Sequence, residues 1–175
     1  VVGVVEGAAN SLASAVLSDY TLIQRVKGIG VMDKALCQRY GVVGPNARAS
    51  GVGIDARTDK YEAYKWLDFE PIVLDGGDNL ARVLVRVKET FQSIELIKQC
   101  FKQMEPGPIM EEFKGGIKGE GAARCEAPRG ELFYYIRGNG TKELERVKIR
   151  TPTLGSVSVM RELLLGEEFP NIPVT

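Results

Sequence analysis

The turn around Arg129 is the stretch whose residue types best suit chemistry on a bound ligand. Pro128 fixes its own backbone angle, and Gly130 permits a close approach of another segment. Such neighbours could hold the Arg129 guanidinium over a buried site, where its fixed fork of donors would orient a small ligand or polarise a diatomic molecule. The spacing alone also fits a surface turn with a solvated arginine, and taken alone it favours that interpretation.

A second stretch, residues 44–57, places charged side chains among glycines. It reads GPNARASGVGIDAR and contains Arg48, Asp55 and Arg57. Glycines at this density suit a backbone that packs closely against something else. A Gly-x-Gly pattern without a strand before it and a helix after it is not a nucleotide-binding fingerprint. The chemistry of these residues alone favours a structural loop held by an arginine–aspartate pair.

The three cysteines, Cys37, Cys100 and Cys125, are widely spaced and odd in number. This argues against a disulfide framework and for a reducing compartment. None belongs to a Cys-x-x-Cys pair, so none is assigned to a metal, and Cys100 is predicted to be a core residue on a helix. The chain has no histidine, which excludes hydrolases built on a histidine-centred triad.

Charge and hydropathy argue against two classes of partner. The 23 basic residues balance 23 acidic ones, so no net field attracts nucleic acid or an anionic membrane surface. The apolar run that starts at Val1 is broken by Glu6 and Asn10, far short of the roughly 20 residues that span a bilayer. We therefore expect no nucleic-acid partner and no direct membrane insertion. The chain opens without Met and without a signal peptide, so we expect a piece of a longer protein.

The strongest predicted element is a long helix over residues 78–104. Its apolar residues recur at intervals of three and four, interleaved with charged ones. Asp78 or Asn79 can cap its start, and Pro106 forbids its continuation. At about 1.5 Å per residue the helix would be roughly 35 to 40 Å long, which suits a helix bundle.

The remaining pattern predicts shorter helices and one hairpin. Helices are predicted over residues 7–17, 34–40 and 155–165. Asp33 and Ser156 are their expected caps, and Gly41 follows the second. Residues 41–53 are predicted to be an irregular loop, and residues 114–121 a Gly- and Lys-rich connector. Residues 131–137 and 147–150, on either side of the turn signal Gly-Asn-Gly, predict an antiparallel β-hairpin. The fold class is α+β, with residues 1–175 as one fragment of a larger domain.

Five motifs, in this order, carry a resemblance to a known family. They are GPNARASG at 44–51 with Asp55 and Arg57, Tyr61 with Tyr64, the helix from Asp78, EAPRGE at 126–131, and KIRTPT at 148–153. From about Tyr20 to the C-terminus the chain resembles the large, catalytic subunits of group 4, energy-converting nickel–iron hydrogenases. It equally resembles the related quinone-site protein of complex I.

The resemblance implies an oxidoreductase parent in which Pro128 and Arg129 lie over a nickel–iron centre. Glu126 and Arg48 would support them on the substrate side. In the family the metals are held by two Cys-x-x-Cys pairs, and neither is in this sequence. We therefore expect the centre in the complete parent, with no metal and no activity in this chain alone. The implied partners are a small iron–sulfur subunit and membrane subunits, on the cytoplasmic face of the membrane.

Two alternatives remain open at this stage. A quinone-site subunit of complex I would share the fold, but those relatives commonly carry Lys where Arg129 stands and bind quinone through His and Tyr of an earlier segment. Arg129 and the Thr151-Pro152-Thr153 sequence favour a hydrogenase. The other alternative is a metal-free scaffold that keeps only its interfaces, for which large exposed apolar patches are expected.

Overall fold

The computed structural model describes residues 1–110, 112 and 115–175 as an α+β fold. Its helices are α1 (Val2–Ser18), α2 (Tyr20–Val26), α3 (Lys34–Tyr40), α4 (Pro45–Arg48), α5 (Asn79–Gln103) and α6 (Pro152–Leu164). Three short 3-10 helices cover Ala56–Asp59, Glu62–Lys65 and Phe169–Val174. The strands are β1 (Lys118–Ala127), β2 (Gly130–Asn139) and β3 (Leu144–Arg150). No helix among the described residues is both long and apolar enough to cross a membrane.

Helix α5 confirms the predicted long helix and is the axis of the fold. The Asp78 side chain caps it by accepting a hydrogen bond from the Ala81 amide at 2.8 Å, and its second oxygen accepts from the Gly28 amide at 2.8 Å. Its 25 residues pack against α1, α2 and α4. On the buried side Ala81 and Val85 pack with Ala49. The helix therefore ties the N-terminal helices to the loop that carries Arg48.

A second apolar cluster lies where α3 meets α6. Its members are Met32, Cys37, Val42, Ala47, Val52, Val159 and Leu163. Asp33 caps α3 as predicted, with a 2.7 Å hydrogen bond from the Leu36 amide, and Gly41 ends it in the left-handed conformation. The predicted cap of α6 was wrong: the helix begins at Pro152, after Thr151, because proline suits the first helical turn, where no amide donor is needed.

The small sheet is antiparallel, in the order β1-β2-β3. The predicted hairpin is confirmed by the pairing of β2 with β3, which sets Ile136 opposite Val147. The third strand, β1, was not predicted, because its Gly, Ala and Lys residues have low strand propensity. It replaces the second half of the predicted connector, residues 118–121, and Lys114 of that connector lies outside the described residues. Residues Lys118 to Ala127 of β1 pair along the whole of β2, and this pairing holds β1 in place.

Two further helices also differ from expectation. Helix α4 interrupts the predicted loop over residues 41–53, with Pro45 at its first position directly after Gly44. Helix α2 was missed altogether; it is only seven residues long and is capped by the Asp19 side chain, which accepts from the Leu22 amide at 3.0 Å. Cys100, predicted to be a core residue on a helix, lies on α5 but is only partly buried.

Candidate functional site

Arg48 is the centre of a buried ion-pair network. It ends α4 and is 1% exposed. Its Nε donates to Glu89 Oε1 at 2.6 Å, and its Nη1 donates to Glu126 Oε1 at 2.8 Å and to the Ile54 carbonyl at 3.2 Å. The same Nη1 lies 2.8 Å from Asp55 Oδ2. One guanidinium thus joins the loop, helix α5 and strand β1, which are distant in sequence.

Arg57 completes the network through Asp55. Its Nε and Nη2 donate to the two Asp55 oxygens at 2.9 and 2.7 Å, a bidentate pair of the kind that arginine geometry favours. The Arg57 amide also donates to Asp55 Oδ1 at 3.0 Å, so the carboxylate caps the 3-10 helix that follows. The guanidinium stacks 4.2 Å from the centre of the Phe69 ring. The predicted arginine–aspartate loop is therefore present, and Asp55 serves two arginines.

Glu126 is the point at which strand β1 enters the network. Its Oε2 accepts from the Ala56 amide at 3.1 Å while Oε1 accepts from Arg48, and its side chain is 4% exposed. Its own backbone amide donates to the Tyr61 hydroxyl at 3.0 Å. The Glu126 side chain and backbone are thus both fixed, two residues before Pro128.

Two glycines bring the two sequence motifs into contact. Gly44 has φ 74° and ψ −155°, a conformation open essentially to glycine. A Cβ on Gly44 would lie 2.3 Å from the Arg129 carbonyl oxygen, and one on Gly130 would lie 2.8 Å from the Gly44 nitrogen. The Pro128-Arg129 turn therefore packs backbone to backbone on the loop before α4, as the glycine content of both motifs suggested.

A cleft of ≈ 400 Å³ lies between this turn, α4 and α5. Its charged lining consists of Arg48, Arg57, Arg86, Glu89 and Glu126. Convergent polar groups in a cavity of a few hundred cubic ångströms are typical of a small-molecule site. This is the candidate functional site.

The four predicted site residues occupy different parts of this cleft. Arg48 and Glu126 are buried in its floor and bonded to each other. Pro128 lines it, and both Pro128 and Arg129 are exposed. Within the described part of the chain, the Arg129 side chain has no hydrogen bond or ion pair, whereas Arg48 bonds three carboxylates through Nε and Nη1.

Sequence reasoning missed the residues that α5 contributes. Glu89 bonds Arg48, and Arg86 lines the cleft and donates to Asn46 Oδ1 at 3.0 Å. A signal was present: Arg82, Arg86 and Glu89 recur at intervals of four and three, so charged residues share one helical face. Charged residues on the same helical face as buried apolar residues indicate a polar contact inside the fold.

The pKa values of Arg48 and Glu126 reflect the different numbers of oppositely charged partners that each group has. Burial alone would lower the pKa of Arg48, but the hydrogen bonds that it donates to Glu89 and Glu126 and the charge of Asp55 raise it above its usual value. Burial also raises the pKa of Glu126, and the hydrogen bonds from Arg48 and the Ala56 amide only partly oppose this. Arg48 is stabilised in its charged form by three carboxylates, whereas Glu126 shares Arg48 with Asp55 and Glu89.

Replacing Glu126 by glutamine is expected to flatten the pH dependence of stability. Because the raised carboxyl pKa means that the native state holds this proton more tightly than the unfolded state, the free energy of unfolding falls as pH rises through the interval between the two pKa values. The slope from one proton is at most about 1.4 kcal/mol per pH unit. In urea unfolding from about pH 4 to 8, the stability of the wild type should therefore fall relative to that of E126Q as pH rises.

Glu145 supplies the matched control for that measurement. It is an exposed glutamate that pairs with Arg137 at 3.3 Å on the sheet. E145Q should keep the wild-type slope. Parallel profiles for the wild type and E126Q would contradict a raised pKa for Glu126.

The same residues offer little to a metal ion. The described part of the chain contains no group of three or more His, Cys, Asp or Glu side chains that could hold one. Cys37 is buried in the α3–α6 core, where burial raises the pKa of its thiol and so disfavours the thiolate. These residues do not by themselves fit a nickel–iron centre.

Comparison with known proteins gives consistent results. The family described as the respiratory-chain NADH dehydrogenase 49 Kd subunit matches residues 1–117 and 112–175. The chain is 40% identical over 156 residues to the carbon monoxide-induced hydrogenase of Rhodospirillum rubrum, covering 88% of this chain and 43% of that protein. It is 41% identical over 154 residues to an NADH-quinone oxidoreductase subunit of Geobacillus kaustophilus, covering 85% and 42%.

A solved structure agrees with the fold in detail. The chain superposes on a subunit of the membrane-bound sulfane sulfur reductase, an archaeal respiratory membrane complex, with a TM-score of 0.86 and 36% identity. The match covers 97% of this chain and 49% of that one. The chain thus spans less than half the length of the relatives it matches here.

Proposed function

Because the chain belongs to the family of the 49 kDa subunit of respiratory-chain NADH dehydrogenase, we propose that it is the central part of a catalytic large subunit in a membrane-associated nickel–iron hydrogenase. The complete protein would be an oxidoreductase that reduces protons to hydrogen reversibly. The observation that carries this proposal is the Pro128-Arg129 turn, which the Gly44–Gly130 contact fixes beside the cleft.

Three features favour a hydrogenase within this family. Arg129 stands where quinone-site relatives commonly carry Lys, and Thr151-Pro152-Thr153 follows the hydrogenase pattern. The 40% identity to a carbon monoxide-induced hydrogenase agrees with both. A guanidinium fixed through its backbone, with no side-chain hydrogen bond to the described residues, suits a group that shapes an open site without binding the metal itself.

The nickel–iron centre is proposed for the complete protein only. This chain does not supply the thiolates that nickel and iron require, so they would come from Cys-x-x-Cys pairs outside these 175 residues. The residues seen here would instead position Arg129. The proposed partners are a small iron–sulfur subunit and membrane subunits, which would hold the protein at the cytoplasmic face of the membrane.

A quinone-site subunit of a complex I-type enzyme is the second candidate. It is favoured by 41% identity to the NADH-quinone oxidoreductase subunit of Geobacillus kaustophilus. Arg129 would then face a quinone head group in place of a metal centre. The two candidates differ in what the rest of the protein must contain.

The deciding experiment begins with the parent gene and ends with an assay. Two Cys-x-x-Cys pairs flanking this region, with hydrogen evolution by the purified complex, are expected. Arg129→Lys should lower the rate by about 10- to 100-fold at unchanged nickel content. Absence of the pairs, together with quinone reduction, would overturn the proposal in favour of the second candidate.

The isolated chain provides an independent check. We expect less than stoichiometric nickel in the purified 175-residue chain, measured by elemental analysis after incubation with the metal. One nickel per molecule would show that the site has been misassigned.

A further inference from the structure

Arg86 and Arg129 are two neighbouring cations without an acidic partner in the part of the chain that the structure describes. We propose that they form a binding site for a small oxyanion or carboxylate at the rim of the cleft. The proposal shares Arg129 and the cleft with the proposed redox function, but it needs only residues of this chain and no metal, so it can be tested separately.

The charges of the cleft leave these two arginines without an ion pair among the described residues. The carboxylates of Asp55 and Glu126 lie within 2.8 Å of Arg48, and Glu89 lies 2.6 Å from it. Asp55 is also held by Arg57. Three carboxylates thus form ion pairs with two arginines, Arg48 and Arg57. Arg86, in contrast, has no carboxylate within 4 Å in the described part of the chain.

The fold places both unpaired cations beside the same loop. Arg86 is anchored through its Nη2 to Asn46, and the Arg129 backbone is in contact with Gly44, two residues earlier on the same loop. The groups that act on Arg86 include both signs. Partial burial lowers its pKa most strongly, Glu89 opposes this, and Arg129 and Arg48 lower it further. The lowering by Arg129 is what two cations beside one loop should produce, and a bound anion between them would oppose it.

The shape and lining of the cleft indicate the class of anion. A guanidinium offers paired donors that match the two oxygens of a carboxylate or of a tetrahedral oxyanion. Next to these donors the walls carry Pro45, Ala127 and Pro128, with the hydroxyls of Tyr64, Thr90 and Ser93. A volume of ≈ 400 Å³ accommodates a small anion with a short apolar part.

The test is a titration of the 15N-labelled 175-residue chain with acetate and with inorganic phosphate at low ionic strength. Saturable shifts of the Arg86 and Arg129 side-chain Nε signals are expected, with a dissociation constant in the low millimolar range, about 10⁻³ to 10⁻² M. R86Q and R129Q should each weaken binding about tenfold, as expected for loss of one charge-assisted hydrogen-bond donor. K88Q is the matched control, since Lys88 is a cation on the same helix that does not line the cleft.

The Arg48 side-chain signals report whether each variant remains folded. Folded R86Q and R129Q that bind both anions as well as the wild type, or equal weakening by K88Q, would overturn the proposal. So would shifts that never saturate with either probe. Because the isolated chain carries no redox activity in our proposal, failure of this test leaves the hydrogenase assignment untouched, and failure of that assignment leaves this site standing.

Discussion

Replacement of Arg48 by methionine is expected to lower the free energy of unfolding by about 3–5 kcal/mol, the usual cost of removing one partner from a buried ion pair. Methionine nearly fills the space of the aliphatic stem but leaves Glu89 and Glu126 without their main cation. Asp55 keeps only Arg57. Because Arg48 is 1% exposed, water cannot replace what is lost. Urea unfolding at pH 7 measures the change.

Two further variants separate electrostatics from packing. R48K keeps the charge but not the fork that reaches Glu89 and Glu126 at once, so it should fall between the wild type and R48M. The double variant R48M/E126Q also removes one of the uncompensated carboxylates. Its loss in free energy of unfolding should therefore be smaller than the sum of the two single losses by about 0.5–3 kcal/mol. Strictly additive losses, or a change in R48M below about 1 kcal/mol, would show that the network contributes little to stability.

Helix positions were the most predictable part of the fold, because their signals are local. Asp78 and Asp33 precede periodic apolar residues and cap the predicted helices, and Gly41 ends α3 as expected. Each of these effects depends on contacts within one turn of helix. The sequence of a single segment therefore contains the necessary information.

Strand β1 could not be predicted in this way, because its stability comes from a partner. Its Gly, Ala and Lys residues give no strand signal, and the strand exists because β2 offers a complete edge for pairing. The Pro128-Arg129 turn was recognised from sequence only as a motif. Its contact with Gly44 joins segments more than 80 residues apart and became apparent only in three dimensions.

In the candidate site too, the sequence indicated some of the residues but not the contacts between them. Arg48 and Glu126 were both predicted as site residues, and the structure bonds them to each other. Glu89 was missed, although it supplies the shortest of the three carboxylate contacts to Arg48, because a charged residue on a long helix usually faces solvent. A role for Arg129 and Pro128 in catalysis stays a prediction.

The buried ion-pair network around Arg48 is linked to the exposed Arg129 through the backbone. Arg48 fixes Glu126, and only Ala127 separates Glu126 from the Pro128-Arg129 turn. Gly44 holds the other side of the turn. Arg129 can thus keep its donors unbonded to the described chain and still have a defined backbone position. Positioning of this kind is what a group acting on a ligand requires.

Replacement of Gly44 by alanine should therefore displace this turn, at a cost of about 2–5 kcal/mol from backbone strain and steric overlap together. The added Cβ would lie 2.3 Å from the Arg129 carbonyl oxygen, and this contact is with backbone, which cannot rotate away. G28A is the matched control: Gly28 has φ 71°, close to the 74° of Gly44, but a Cβ there meets no described atom within 4 Å. G28A then measures the cost of a positive φ without overlap, and the excess loss in G44A measures the contact between the two motifs together with the cost of the Gly44 ψ of −155°. Equal losses in urea unfolding, with unchanged amide shifts at Arg129 and Gly130, would show that the turn does not depend on Gly44.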